Sequence, residues 1–576
     1  MNKRHVAIDF APDTVLHRHP LWLIWLAAAV VLLILLGHDY FFPGEGDLAE
    51  SIRRMAAGED LFNNQWQPES PAAFWGSSFR SFWSGLLGIN EFAIRFPSVI
   101  SALLLLGGTM ILAEDFFNHK VMCCTAWMLI GSCGFIYWGR YAGNYITLAA
   151  WVVWSAVLLR NARDYFWWRG MFFLLFFGGT AWWGVHYLLL MPGLLVMNMA
   201  SCQRALFRAR SFLAAGFALP VILGILAWMV STPDIGVLEY PVRVWILLKG
   251  TFVESLQSAV YPNRNLYLGW FNLFRLLLPW TLPAVLAVIG MFWQWKELSA
   301  DHRRLLLGSL FMLFFAGIFP GRSWQYQLPQ LPFFLMLCGA GVSGETGVWL
   351  WQEKCNLVMK WVAMILCSLA AAVIVTWPLW ELVFFAPPSK WLMFAVPFLG
   401  LLGLGMLVFD TGISSAVEQS SGMRGSWSGY ILALVCFMTA FLAVGKPALA
   451  EYRTKSNFWK ECGGVSGRYP VNETVFFGSH PGSLALYYMD LPGDPQSAPD
   501  AAALENVLAS ITSGDAKIIV RCCDVVPLKN GLEKLSWQLE STPLVLESGA
   551  GDFSADAPCG GGKFLLFRCW KISPSK

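Results

Sequence analysis

The sequence predicts a polytopic α-helical membrane protein of about thirteen transmembrane helices with a soluble α/β domain at its C-terminus. Three observations predict this fold class. Of 576 residues, 56% are hydrophobic and only 13% charged, with a mean hydropathy of +0.53, whereas soluble domains carry about a quarter charged residues. The long apolar runs stop near residue 446, and the remainder alternates like an ordinary soluble chain. The 30 Trp and 43 Phe supply the rings that membrane–water interfaces favour.

A hydrocarbon core about 30 Å thick needs roughly 20 apolar residues per helix. Runs that meet this rule fall near 21–38, 98–116, 121–138, 145–160, 170–183, 184–200, 211–231, 268–294, 305–320, 328–344, 358–378, 391–409 and 428–446. Only Gly178, Gly179 and Gly184 mark the break between the fifth and sixth. The first twenty residues are polar, and no small-residue cleavage site follows the first apolar run. Residues 21–36 are therefore expected to be a retained span rather than a signal peptide.

Basic residues set the orientation. With the N-terminus inside, the inner loops hold Lys3, Arg4, Lys120, Arg160, Arg204, Arg208, Arg303 and Arg304, among others. An odd number of spans then puts the tail outside. Domain 1–446 is expected to be the membrane domain and 447–576 the outer α/β domain. Two outer segments, 39–97 and 232–267, exceed simple connectors. In the first, Leu48, Ile52 and Met55 recur at helical spacing, and Phe74, Phe79, Phe82, Trp83 and Leu86 form a second amphipathic stretch. Such helices lie in the interface plane with the apolar face on lipid or on the bundle.

In the tail, strand-like runs at 474–477, 516–520 and 564–567 flank a helical segment at 501–511. It has neither a nucleophile elbow nor a glycine-rich phosphate loop. A net charge of +3 and the lack of a basic stripe argue against a nucleic-acid partner. No CxxC pair supports a zinc or haem site. Adjacent Cys522 and Cys523 cannot easily bond to each other. If the outer compartment is oxidising, one of them is expected to pair with Cys462, Cys559 or Cys569. His186, inside an apolar run, reads as a packed core histidine.

Four segments carry a family resemblance: LAESIRRMAAGEDLFN (48–63), GINEFAIRFPSVISALL (88–104), LLPWTLPAV (277–285) and GRSWQYQLPQLPFFLML (321–337). In this order they resemble the GT-C membrane glycosyltransferases, specifically the bacterial family of protein O-mannosyltransferases and lipid A aminoarabinose transferases. The resemblance spans about 21–446. It implies a multi-pass protein of the bacterial inner membrane with a periplasmic C-terminal domain. It also implies transfer of a sugar from a polyprenyl-phosphate donor to a lipid, glycan or protein acceptor at the periplasmic face. Such chemistry needs cations for the phosphate, a carboxylate near the acceptor's proton and an apolar groove for the prenyl tail.

The same alignment shows where the chain departs from the family. The family's DEARYAE falls on Gly44-Glu45-Gly46-Asp47-Leu48-Ala49-Glu50, so Gly44 stands where the family has its catalytic Asp. Glu45 and Asp47 are the substitute bases. Glu69, retained from a second motif, is a candidate to orient the acceptor or hold a divalent metal ion. The family's second acid falls on Asn144 or Tyr145, and its phosphate-side Lys on Arg322, with Tyr326 retained. Lys249, Arg264, Arg275 and Arg322 are placed on the outer side, where guanidinium binds phosphate oxygens in pairs. Arg140 could serve the same phosphate or anchor the third span.

Plainer readings exist. Acids at 45 and 47 offset a helix dipole, and Arg322 and Arg275 can snorkel to headgroups. A catalytically inactive subunit or lipid-binding scaffold is therefore the alternative to an active transferase. A transporter is disfavoured, because no repeat relates the halves and no charges lie deep in paired broken helices.

Overall fold

The structure is a computed structural model. It describes residues 21–33, 71–162, 166–199, 266–318, 324–343, 473–478, 496–511, 515–521, 524–539, 545–546 and 564–571. Isolated positions between these are also described, among them Leu36, Glu45, Lys249, Val435, Met438 and Cys462.

Helix α1 (Leu21–Leu33) is apolar on all sides. Ile24, Ala28, Val31 and Leu32 form its buried stripe, while Trp22, Leu26 and Val30 face outward. An apolar outer face suits lipid, which solvates Leu and Trp as well as a protein core does. Helix α2 (Pro71–Leu87) starts on proline, whose missing N–H costs nothing in a first turn. It is amphipathic in the inverted sense. Arg80 and Ser84 are buried, whereas Phe79, Phe82 and Leu86 are exposed. Its polar side therefore faces protein, and Trp83 packs edge-on against Phe96 at 5.3 Å.

Helix α3 (Glu91–Phe116) begins earlier than its apolar run, because Asn90 caps it by accepting from the Ala93 N–H at 2.8 Å. The span expected at 121–138 is broken. Helix α4 (His119–Ile130), capped by Asn118, ends at Gly131, and Ser132 caps the short α5 (Cys133–Gly139), which departs at 58°. A Cβ at Gly131 would lie 2.7 Å from Val435 Cγ2 and 3.1 Å from Trp280 Cζ2, so close packing explains glycine at the corner.

Helix α6 (Tyr145–Asn161) follows, then α7 (Phe166–Trp183) and α8 (Val185–Met197), which are separated at Gly184 with φ 54°. Only glycine adopts that backbone freely. The run expected at 268–294 divides into α9 (Leu266–Leu277) and α10 (Thr281–Trp293) around Pro279, which cannot donate to a continuing helix. Helix α11 (Ala300–Ile318) precedes a 3-10 helix (Trp324–Gln330) and α12 (Leu331–Ser343). Every residue of α12 is buried, as an all-apolar central helix requires.

Helices α8 and α11 cross in near contact. A Cβ at Gly308 would lie 2.6 Å from the Gly193 carbonyl oxygen, and one at Gly193 would lie 2.7 Å from that of Gly308. Small residues permit this approach where lipid supplies no hydrophobic drive between helices. One core joins α1 and α3 through α12 with Val435 and Met438.

Among the described residues, α3 alone is long and apolar enough to cross a membrane, and α4 with α5 is a second if the bent pair is one span. Four other apolar helices have 10–17 residues. Hydropathy therefore merged segments that breaks divide. The runs expected at 358–378, 391–409 and most of 211–231 and 428–446 lie outside the described residues, as does the boundary expected at 446–447.

The tail has its own core. Strands β1 (Thr474–Phe477), β2 (Gln496–Ala498), β3 (Asp515–Arg521), β4 (Trp537–Leu539), β5 (Val545–Leu546) and β6 (Phe564–Lys571) form one sheet of order β2-β1-β3-β6-β4, with β5 also on β6. Pairings of β1 with β2 and β3 are parallel, and those of β6 are antiparallel. Helices α13 (Ala501–Ser510) and α14 (Val525–Lys534) pack Leu504, Leu508, Leu528 and Leu532 into this core with Val475, Ile518, Val520 and Phe567. Cys462 and Cys569 are both buried. The bridge expected to either of them starts from Cys522 or Cys523. Cys522, Cys523 and Cys559 lie outside the described residues.

Candidate functional site

Three buried arginines gather where α1, α2, α3 and the turn 140–144 meet. A guanidinium withdrawn from water needs partners for its donors. Arg95, one turn before Ser98 on α3, directs Nε and Nη2 at the two oxygens of Glu45, at 3.1 and 2.7 Å. This is the two-bond fork that suits guanidinium to carboxylate. Its Nη1 donates to the Leu36 carbonyl at 3.3 Å. Arg95 is 1% exposed and Glu45 0%. The backbone N–H of Ala142 donates to Glu45 Oε1 at 2.5 Å.

Arg80 grips the same turn from α2. Its Nη1 donates to Asn144 Oδ1 at 2.6 Å, and Nη2 donates to the Gly143 carbonyl and to Ser98 Oγ, both at 2.9 Å. Its Nε donates to the Ile94 carbonyl at 3.1 Å. Burial lowers the Arg80 pKa to about 10, and the nearby Glu45 and Tyr141 oppose that shift. The group stays protonated at neutral pH. Arg140 donates through Nη1 to the Val31 and Leu32 carbonyls at 3.2 and 3.4 Å. Those carbonyls end α1 and have no partner within the helix.

Above this layer stand half-exposed Tyr141, Asn144 and Tyr145. Trp138 meets Tyr141 edge-on at 4.9 Å and Tyr145 at 5.4 Å, and Tyr137 stacks on Tyr141 at 5.7 Å. The turn is tight. Gly143 donates to the Tyr141 carbonyl at 2.7 Å, and a Cβ at Gly143 would lie 2.8 Å from the Tyr141 ring.

The expected site residues divide as follows. Glu45, read as a base, is buried, and both of its oxygens accept hydrogen bonds. Arg140, read as a phosphate ligand or an anchor of the third span, donates to the Val31 and Leu32 carbonyls at the end of α1. Lys249 is exposed on a helical stretch. Tyr326 lies in the 3-10 helix, with only its backbone described. Asp47, Glu69, Arg264 and Arg322 lie outside the described residues. Among the described residues, no group of three or more His, Cys, Asp or Glu could hold a metal ion. His186 is half-buried on α8.

Sequence reasoning missed Arg80 and Arg95 as site residues, although both stand in apolar stretches, SSFRSFW and FAIRFPS. A charge in such a setting is costly and calls for a named partner.

The chain has the overall fold of solved structures that share little of its sequence. The particular likeness is to ArnT from Cupriavidus metallidurans. The structure of that protein bound to undecaprenyl phosphate matches with a TM-score of 0.62 at 13% identity, covering 95% of this chain and 97% of that one. Its apo structure matches with a TM-score of 0.63 at 13% identity and the same coverage. No family model matches the chain, and no curated protein matches it in sequence.

Proposed function

We propose that this chain is a membrane glycosyltransferase of the bacterial inner membrane. It takes a sugar from a polyprenyl-phosphate donor and places it on a lipid, glycan or protein acceptor at the periplasmic face. The observation that carries this reading is the correspondence over 95% of the chain with a protein whose structure holds undecaprenyl phosphate. An acceptor oxygen or nitrogen attacks the sugar's anomeric carbon, the bond to phosphate breaks, and a carboxylate takes the acceptor's proton. Because Glu45 is held by Arg95, we assign that carboxylate to Asp47 or Glu69, with Glu69 also the candidate ligand for a divalent metal ion. Arg322, with Tyr326, Arg264 and Lys249, is assigned to the lipid phosphate, where a guanidinium can make two bonds. The tail domain is assigned to the periplasm.

A second reading, a catalytically inactive lipid-binding subunit, draws support from one observation. Glu45, the acid nearest the missing family Asp, is committed to an ion pair with Arg95. Mass spectrometry of glycolipids and glycoproteins from cells with and without the chain separates the two. A product that requires the chain supports transferase activity. Identical profiles support the inactive subunit.

A further inference from the structure

We infer that Glu45 and Arg95 are positioning residues that set the turn at 140–144, which presents Tyr141 and Asn144. This role rests on the reading of the chain as a lipid-phosphate transferase only in its consequence for ligand binding. The geometry stands apart from that reading. Three consecutive residues of the turn are gripped from two sides. Glu45 Oε1 takes the Ala142 N–H, while Arg80 takes the Gly143 carbonyl and the Asn144 side-chain oxygen. A carboxylate on one side and a guanidinium on the other therefore fix both the donor and the acceptors of one short segment.

Glu45 lies 50 residues before Arg95 and 97 before Ala142. Its carboxylate thus joins the first outer loop, α3 and the turn at a single point. Arg95 adds a bond to the Leu36 carbonyl, just beyond α1. Stability alone does not call for this arrangement. A buried ion pair gains little over apolar residues of equal volume, because desolvation offsets the attraction. Its best-attested use is to fix register. Apolar side chains at 45 and 95 could fill the space, but neither could accept the Ala142 N–H. Without that bond the turn loses its hold at Ala142, while the bonds from Arg80 and Ser98 to Gly143 and Asn144 remain, and the placement of Tyr141 and Asn144 loosens.

Two double variants of the full chain separate positioning from packing. Glu45→Leu/Arg95→Met removes both charges and the acceptor for Ala142. Glu45→Gln/Arg95→Met removes both charges but keeps an acceptor oxygen. Hydrogen exchange of the peptide covering 140–144 and binding of undecaprenyl phosphate by native mass spectrometry are read on each, with melting temperature as the control. The expected result is exchange about tenfold faster in the Leu-containing variant, with lipid binding weakened about threefold or more. The Gln-containing variant should stay near wild type in both.

Equal exchange in the two variants overturns the inference. If the Leu-containing variant does not fold, Glu45→Gln/Arg95→Met is compared with wild type alone, and loss of protection or of lipid affinity there overturns it. If Glu45 were instead the base, Glu45→Gln would abolish turnover with exchange and binding unchanged. A wild-type chain that binds no undecaprenyl phosphate sinks the lipid-carrier reading, while the exchange comparison still judges the clamp.

Discussion

Arg80 Nη1 lies 2.6 Å from Asn144 Oδ1, and this contact fixes how the asparagine stands. Guanidinium has donors only, so Asn144 must turn its oxygen to Arg80 and its amide N–H groups elsewhere. A carboxylate would accept the same bond with a countercharge. Asn144→Asp should therefore be tolerated and raise the melting temperature in detergent. Asn144→Leu should cost about 1–3 kcal/mol, the penalty for leaving a buried donor unsatisfied. Unfolding of the purified chain measures both, and a stable Leu variant would argue against the contact.

The charge on Arg80 should be constant across physiological pH. Burial lowers its pKa from the ordinary 12.5 to about 10. A base with a depressed folded pKa is penalised in its charged form, so stability rises with pH only between the folded and unfolded values. Below that window the group is protonated in both states. The stability difference between wild type and Arg80→Met should thus be flat from about pH 6 to 9. A slope in that range, followed by thermal denaturation at several pH values, would place another titrating group in the network.

Much of this arrangement was legible in the sequence, and the reasons for the rest are physical. Hydropathy finds apolar runs such as 98–116 and 145–160 because lipid exposure demands them. It does not see corners, so the breaks at Gly131 and Pro279 were read through. The inverted amphipathicity of α2 was half legible: its exposed Phe79, Phe82 and Leu86 were recognised, but Arg80 on the opposite side was not given a role. Strands β1, β3 and β6 stand out as buried apolar runs. The three-residue β2 and β4 and the polar helix α14, which contains Pro527 and Gly531, carry no such signal. The Glu45–Arg95 pairing bridges 50 residues, and no local pattern announces a contact of that separation.

The crossing of α8 and α11 should tolerate no added side chain. Gly308→Val would push a branched carbon against the Gly193 carbonyl and the Met197 side chain. The expected cost is about 1–3 kcal/mol from overpacking, read as a lower melting temperature. A neutral result would mean that the helices stand further apart.

The assigned carboxylates give a sharper test of mechanism. Asp47→Asn or Glu69→Gln should lower turnover about a hundredfold, the scale of general-base loss, while undecaprenyl phosphate binding stays near wild type. Arg322→Ala should show the converse, with lipid binding weakened several-fold. Native mass spectrometry gives the binding and product mass the turnover, and an unchanged rate in both acid variants would remove these residues from the mechanism.

Whether the chain discharges a lipid-linked sugar is settled most directly by one ratio: sugar-charged to bare undecaprenyl phosphate in membranes, measured by mass spectrometry with and without the chain. A transferase lowers that ratio and produces a matching glycosylated product, and the double variant Asp47→Asn/Glu69→Gln does neither. A ratio that is the same with the wild-type chain, with the variant and without the chain would contradict transferase activity.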